Sequence, residues 1–384
     1  MKTLKKYLLL CFLIENLLAQ SFFASLPTWV FYLMLFLGVL MLFSKEFLSR
    51  RSFKECWPLY LLLMVYVLYQ FTAGIGTLNT RSLLYLMAKV TTFAIITVSV
   101  VSNLDYYVQR LPILFAFIVF IVLLFGMGRG VDLDSGDRMN LGFGNSNSTS
   151  SLSVICIAGV LFFWNRKYSF IYMIMLAIAL FAMLAGGGRN AILTLVIMTL
   201  VWTGFSLKKS IIAALLLALS IGALTVLPVN LAGVNRMKDT IEGKAGSNRD
   251  IEREATKIMI DEKPFTGWGF EAKNSGRAAD ISELGSHSGY LETIKCMGWP
   301  FSILWFFILL LSILPLLKYL KGRNMVLRYH LAIVLSHLAA AFFEGLFVGV
   351  HEFSTNIVFY SLAVLTTYRY REKHHLIQQY DKAY

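Results

Sequence analysis

Residues 110–129 read RLPILFAFIVFIVLLFGMGR, an uninterrupted run of eighteen uncharged, mostly apolar residues between two arginines. As an α-helix this run rises about 27 Å, close to the ~30 Å hydrocarbon thickness of a bilayer. The arginines at its two ends fall where headgroups and water begin. A stretch of this kind decides the fold class, and it recurs along the chain.

Comparable runs lie near 7–26, 28–43, 57–73, 83–101, 111–127, 149–164, 170–186, 189–206, 210–228, 289–314, 326–346 and 352–368. The expected fold is therefore an all-α, polytopic membrane bundle of about twelve transmembrane helices. Composition agrees. The 384 residues are 57% hydrophobic and only 15% charged, and their mean hydropathy is +0.66, whereas soluble domains carry about 25% charged residues. The net charge of +13 points to nucleic acid only if the basic residues cluster on a soluble face. They sit mostly between spans instead, so no nucleic-acid partner is expected.

Alternate connections differ sharply in Lys and Arg. One set holds Lys2, Lys5, Lys6, Lys45, Arg50, Arg51, Lys54, Arg110, Arg166, Lys167, Lys208, Lys209, Lys318, Lys321, Arg323, Arg328, Arg369, Arg371, Lys373 and Lys382; the short connections of the other set hold Arg81, Arg129, Arg138 and Arg189. By the positive-inside rule this imbalance puts both termini in the cytoplasm. The segment 229–287, between the ninth and tenth spans, then forms one large extracytoplasmic loop subdomain on a single membrane domain, 1–384. The first run has the outline of a secretory signal, but Glu15, Asn16 and Gln20 interrupt it, and it reads as a retained helix. Cys11, Cys56, Cys156 and Cys296 lie within or beside apolar runs without metal-ligand spacing and read as packing residues.

Within the outer loop, residues 246–261 (GSNRDIEREATKIMID) have the pattern of an amphipathic helix capped by Ser247 or Asn248 and stopped at Lys263-Pro264. Ile251, Ala255, Ile258 and Met259 are expected to face inward. Arg249, Arg253 and Lys257 recur at helical spacing; such a stripe is either a solvated face paired with Glu252 and Glu254 or a phosphate-binding surface. His287 ends the loop, and Glu292 and Lys295 follow at the start of the next run, as a site or as a structural ion pair. Arg189 follows three glycines at another outer turn, where the glycines either admit close backbone approach to a ligand or form a plain flexible turn whose arginine snorkels to headgroup phosphate. Glu15, Lys89, His337 and Glu344 also fall within spans, with no indication of which way they face. Asp132, Asp134 and Asp137 lack the glycine and terminal glutamate of a calcium loop, and no metal site is expected.

Four pieces of this chain, in order, resemble the O-antigen ligase and polymerase superfamily. Arg138 with GFGNSN (142–147) is similar to its arginine, glycine and asparagine signature, and Gly188-Arg189-Asn190 to its small-residue-plus-arginine turn. Ser247-Asn248-Arg249 through KPFTGWGF (263–270) is similar to its loop helix and Pro-x-x-Gly-x-Gly turn, and SHSGYLE (286–292) to its His-Asn-x-x-Leu motif, with Ser288 in place of Asn. The resemblance implies a metal-independent, cofactor-free glycosyltransferase of the bacterial inner membrane that acts on undecaprenyl-diphosphate-linked oligosaccharides. Arg189, Arg249 and Arg253 would hold the diphosphate, and Arg138 and Asn147 would contact substrate. His287 would assist the acceptor hydroxyl, with Glu292 orienting it or acting as the base itself. The expected activity is polymerisation of O-antigen or capsule polysaccharide, with ligation to lipid A core as the close alternative and a lipid-linked-glycan flippase or other secondary transporter as the rival of another class. The implied partners are the lipid-linked donor and acceptor, membrane lipids, and a chain-length regulator and flippase of the same pathway.

Overall fold

The computed structural model describes residues 2–21, 28–129, 137–212, 215, 232, 234–235, 249–270 and 287–376. Its elements are α1 (Lys2–Ala19), α2 (Thr28–Leu42), α3 (Arg50–Glu55), α4 (Trp57–Phe71), α5 (Thr80–Ser102), α6 (Leu104–Gly128), α7 (Ser146–Phe162), α8 (Ser169–Gly186), α9 (Arg189–Thr203), α10 (Arg249–Glu262), α11 (Gly289–Ile313), α12 (Met325–Ala340) and α13 (Phe353–Lys373), with short 3-10 turns between some of them. Among the described residues no strand forms, and one antiparallel bridge joins Ser21 to Phe143.

The helices beginning at Thr80, Leu104, Arg166 and Gly289 are long and apolar enough to cross a membrane, and five shorter apolar helices accompany them. Large apolar side chains point outward from these helices. Phe36, Phe125, Phe170 and Ile303 are each more than half exposed, a surface that lipid tolerates and water penalises. Most of the ninth expected span, 210–228, and most of the loop 229–287 lie outside the described residues.

Helix α13 is the axis of the bundle. From Thr355 to Tyr368 every residue is buried, and α1, α4, α5, α6 and α12 surround it. A helix enclosed on all sides must satisfy its polar groups internally. Asn356 Nδ2 donates to Asn16 Oδ1 at 2.9 Å and to the Val350 carbonyl, Ser361 Oγ meets His330 Nδ1 at 3.2 Å, and Thr367 Oγ1 meets Cys56 Sγ at 2.9 Å.

The structure revises three sequence expectations. First, the run at 326–346 does not stay helical: α12 ends at Ala340 and residues 341–352 form turns. Their carbonyls are taken from within the bundle, because buried Lys89 donates to Phe347 O at 2.9 Å and Gly349 O at 2.6 Å, Tyr66 donates to Phe347 O at 3.2 Å, and Tyr85 donates to Val348 O. Irregular backbone among apolar helices persists when side chains meet it in this way.

Second, Ile258 does not face inward. It is 54% exposed, whereas Ala255, Thr256, Met259 and Ile260 are buried where α10 packs on α11. The buried face is thus rotated from the one hydropathy suggested, and it admits the small Thr256.

Third, α11 is broken at Gly298, whose φ of 70° and ψ of 171° leave the helical region. The turn 265–270 fills the break: Trp268 N donates to Lys295 O, Gly269 N to Cys296 O, and Trp299 N to Pro264 O, while the Tyr69 hydroxyl donates to Cys296 O at 2.6 Å. A Cβ at Gly267 would stand 2.4 Å from Cys296 O, and one at Gly298 would stand 2.6 Å from Phe265 O. Only glycine permits these two backbones to interlock.

Candidate active site

One end of the bundle holds a cavity of about 430 Å³. It forms where the first turns of α7, α9 and α13 and His287, two residues before α11, converge, closed by the ends of α1 and α12 and by the 341–352 turns. Asn145, Asn147, Ser148 and Ser151 come from α7 and its cap, Asn190 and Thr194 from α9, and His287, His337, Glu344 and Glu352 from the remaining walls. Amides, hydroxyls, carboxylates and imidazoles make up its polar lining, and no Lys or Arg lines it among the described residues. The N–H groups that open a helix lend partial positive charge to such a site.

The opposite end of the same helices is basic and ion-paired. Lys5 of α1 pairs with Glu46, and Arg371 of α13 donates to Glu55 at 2.7 Å, whereas Gln20 of α1 and Ser354 of α13 line the cavity.

His287 has a positive φ of 43°, a left-handed conformation that histidine visits more readily than most residues. Its neighbours set it. Ser288 caps α11 by accepting from Leu291 N, and Gly289 N donates to Ala341 O at 2.7 Å and Glu344 O at 2.8 Å. A Cβ at Gly289 would stand 2.6 Å from Leu346 O. His287 Nε2 lies 3.2 Å from Glu252 Oε2 of α10, with the ring turned off hydrogen-bonding alignment; that oxygen is buried and accepts no hydrogen bond from a described residue. Glu292 is engaged elsewhere, 2.8 Å from Lys295 Nζ. The two charges at the start of α11 are paired with each other, and the carboxylate beside His287 belongs to Glu252.

His337 is a second imidazole on the cavity wall. Its Nδ1 lies 2.9 Å from Ile333 O, an acceptor only, so Nδ1 carries a proton and, in the neutral ring, Nε2 keeps a lone pair. Nε2 has no partner among the described residues.

The arginines divide into engaged and unengaged. Arg138 donates through Nε to Gly186 O at 3.0 Å and through Nη2 to Asn147 Oδ1; it clamps the end of α8 to the start of α7 and orients a cavity amide. Arg253 donates to Phe342 O at 3.0 Å and lies over the Phe343 ring, and Lys257 pairs with Glu254. The stripe foreseen along α10 is therefore spent in part on docking and in part on a surface pair. Arg249 opens α10, and its side chain lies outside the described residues. Arg189 is half-buried at the first position of α9, beside the cavity residue Asn190, and makes no hydrogen bond or ion pair with a described residue.

The glycines before Arg189 serve packing. A Cβ at Gly186 would meet Ser150 Oγ at 2.4 Å and one at Gly188 would meet Ser150 Cβ at 2.8 Å, while Ser150 Oγ accepts from Gly188 N and donates to Met183 O. They bring α7 against the α8–α9 turn rather than a backbone against a ligand. The sequence reads Glu252 only as a partner for the basic stripe and gives no sign of Glu352 or the α7 hydroxyls; His337 and Glu344 carry a signal, as ionisable residues inside apolar runs.

Among the described residues no group of three or more His, Cys, Asp or Glu has metal-binding geometry. No protein-family model matches the chain, and no curated protein is recognisably similar to it in sequence.

Proposed function

We propose that this chain is a membrane glycosyltransferase that moves a growing glycan from undecaprenyl diphosphate onto the next lipid-linked repeat unit, with the cavity as the seat of the reacting sugars. The cavity lining carries this reading. Asn145, Asn147, Asn190, Thr194, Glu344 and Glu352 offer donors and acceptors of the kind that hydroxyl groups match, and the volume suits one or two sugar rings. A lining without Lys or Arg is suited to the neutral sugar rather than to the diphosphate.

The diphosphate then belongs beside the cavity, at Arg189. Its guanidinium is unengaged among the described residues, and a planar fork suits phosphate oxygens. Leaving-group departure develops negative charge on the diphosphate, which Arg189, and Arg249 at the start of α10, would stabilise. The acceptor hydroxyl needs a base, and His287 stands at the cavity rim with Glu252 behind it. Ser288 fills the helix-capping role that Asn in the family motif would serve equally well.

About twelve crossings, cytoplasmic termini and residence in the bacterial inner membrane belong to the same reading. The positive-inside rule, applied to a bundle whose basic, ion-paired end lies opposite the cavity, supports a cavity at the outer face, where undecaprenyl-linked units would be presented. The broken α11 and the buried Lys89 and Lys295 favour a transporter as the second reading, since transporters use interrupted helices at their sites. Against it, the carbonyls freed at Gly298 are already occupied by the 265–270 turn and Tyr69, which leaves no open ion site at the break. A polymerase and a ligase share donor and face.

Purified protein in detergent, given diphosphate-linked donor and acceptor, should yield longer glycans detectable by mass spectrometry. Vesicle translocation without any elongation in detergent would overturn the transferase reading. The lipid-linked glycan that accumulates in a null mutant separates the two transferases: single repeat units mean polymerase, long chains mean ligase.

A further inference from the structure

A second concavity lies on the lipid-facing side, at the basic end of the bundle. It is a groove of about 510 Å³ between α6 and α8, with α7 as its floor. The floor is recessed because Gly159 lets α7 approach α6; a Cβ there would stand 2.4 Å from Ala116 Cβ. Ile113 and Phe117 of α6 and Ile171 and Met175 of α8 give it apolar walls, and Tyr106, Arg110 and Tyr168 form its polar mouth.

Cations stand at and beside this mouth. Lys6 Nζ lies 5.1 Å and Arg110 Cζ 5.4 Å from the centroid of the Tyr106 ring, and Lys167 Nζ lies 5.6 Å from that of Tyr168. None of the three forms an ion pair with a described residue. Tyr7 packs edge-on against Tyr106, and Trp164 packs against Tyr172, so aromatic residues of the interfacial belt mark headgroup level at this mouth. From Arg110 to Phe117 the groove follows α6 for about 10 Å into the apolar zone. Cations at headgroup depth above an apolar trough match one amphiphile: an anionic head with an acyl tail.

We propose that this groove is a binding site for a phospholipid with an anionic headgroup, its phosphate held by Arg110 with Lys6 and Lys167 and one acyl chain laid between α6 and α8. The site is distinct from the cavity and does not depend on the transferase reading. Each cation near a headgroup favours an anionic over a zwitterionic lipid roughly fivefold.

The test is native mass spectrometry of the delipidated full chain with phosphatidylglycerol and phosphatidylcholine of matched chains. The wild type should retain one phosphatidylglycerol in clear preference. Arg110→Ala should lower that preference roughly fivefold while Arg110→Lys keeps it, and Ile171→Trp, which fills the trough, should weaken retention of both lipids. Equal retention of the two lipids by the wild type, or an unchanged preference in Arg110→Ala, would overturn the site. Displacement of phosphatidylglycerol by an equimolar polyprenyl phosphate would also overturn it, by assigning the groove to the carrier lipid. Lipid-free melting temperatures of the variants separate lost binding from lost folding.

Discussion

The Nε2 of His287 stands 3.2 Å from Oε2 of Glu252, which joins the rim of the cavity to the helix that leans over it. A small rotation of the ring completes a hydrogen bond to an oxygen that otherwise has none among the described residues. In the proposed reaction His287 takes the acceptor proton and Glu252 holds the ring. Substitution of His287 by Gln should lower elongation by about 10²–10⁴. Glu252→Gln keeps the shape and removes the charge, and should lower elongation by roughly ten- to a hundredfold. Product analysis at saturating acceptor checks both, and full activity in Glu252→Gln removes that residue from the site.

Arg189 and Arg138 should separate activity from stability. Arg189 has no partner to lose among the described residues, so Arg189→Ala should leave the melting temperature unchanged and reduce elongation by about a hundredfold or more. Arg138→Ala deprives Gly186 O and Asn147 Oδ1 of their donor; a buried polar atom left without a partner costs about 1–3 kcal/mol, and less where it faces an open cavity, as Asn147 does. It should lower both quantities. Thermal melts in detergent alongside turnover decide the matter; a stable, inactive Arg138→Ala would contradict the clamp.

The interlock of Gly267 with Gly298 should be intolerant of any side chain. Gly298→Ala adds a methyl 2.6 Å from the Phe265 carbonyl at a φ of 70° and ψ of 171°, combining a clash with backbone strain of about 1–3 kcal/mol in a region open essentially to glycine alone. Gly267→Ala meets Cys296 O in the same way. Both should lower the melting temperature, and the double variant should lose less than the sum, because either change alone opens the same joint. Additive losses would show the two glycines acting independently.

Acid should loosen the basic end of the bundle. The hydrogen bond from Lys5, supported by the charge of Lys5, holds the Glu46 carboxyl below its usual range. A depressed carboxyl contributes stability above its unfolded pKa and loses that contribution as pH falls through the folded value. Glu46 is over a third exposed, so screening keeps the effect within about 0–1 kcal/mol. The difference in melting temperature between wild type and Glu46→Gln should shrink from pH 7 towards pH 3 and with added salt. A constant difference would mean the pair does not stabilise the fold.

Much of the helical outline was legible because long apolar runs have few other uses. The run at 170–186 corresponds to α8 within one residue, and the run at 111–127 ends one residue short of the end of α6, which starts seven residues earlier, at Leu104. Boundaries failed where hydropathy is blind to backbone satisfaction. Nothing in the run of residues 341–352 says that Lys89, far away in sequence, donates to the carbonyls of Phe347 and Gly349, and that donation is what allows α12 to stop at Ala340.

The candidate site shows the same divide. His287 and Arg189 stand out in the sequence as residue types beside turns and Asn147 through the family resemblance alone, and the structure lines the cavity with His287 and Asn147 and sets Arg189 next to it. Their partners had no local signal. Glu252 faces His287, Glu292 turns to Lys295, and Arg138 is spent on Gly186 and Asn147, because which carboxylate meets which cation depends on how α10 and α7 pack. Composition and periodicity are one-dimensional, and they suffice to specify which segments leave water and become helices. The pairing of charges and the closing of a cavity depend on distances between helices remote in sequence, and those arise only when the missing side chains at Gly159, Gly267 and Gly298 let the backbones approach closely.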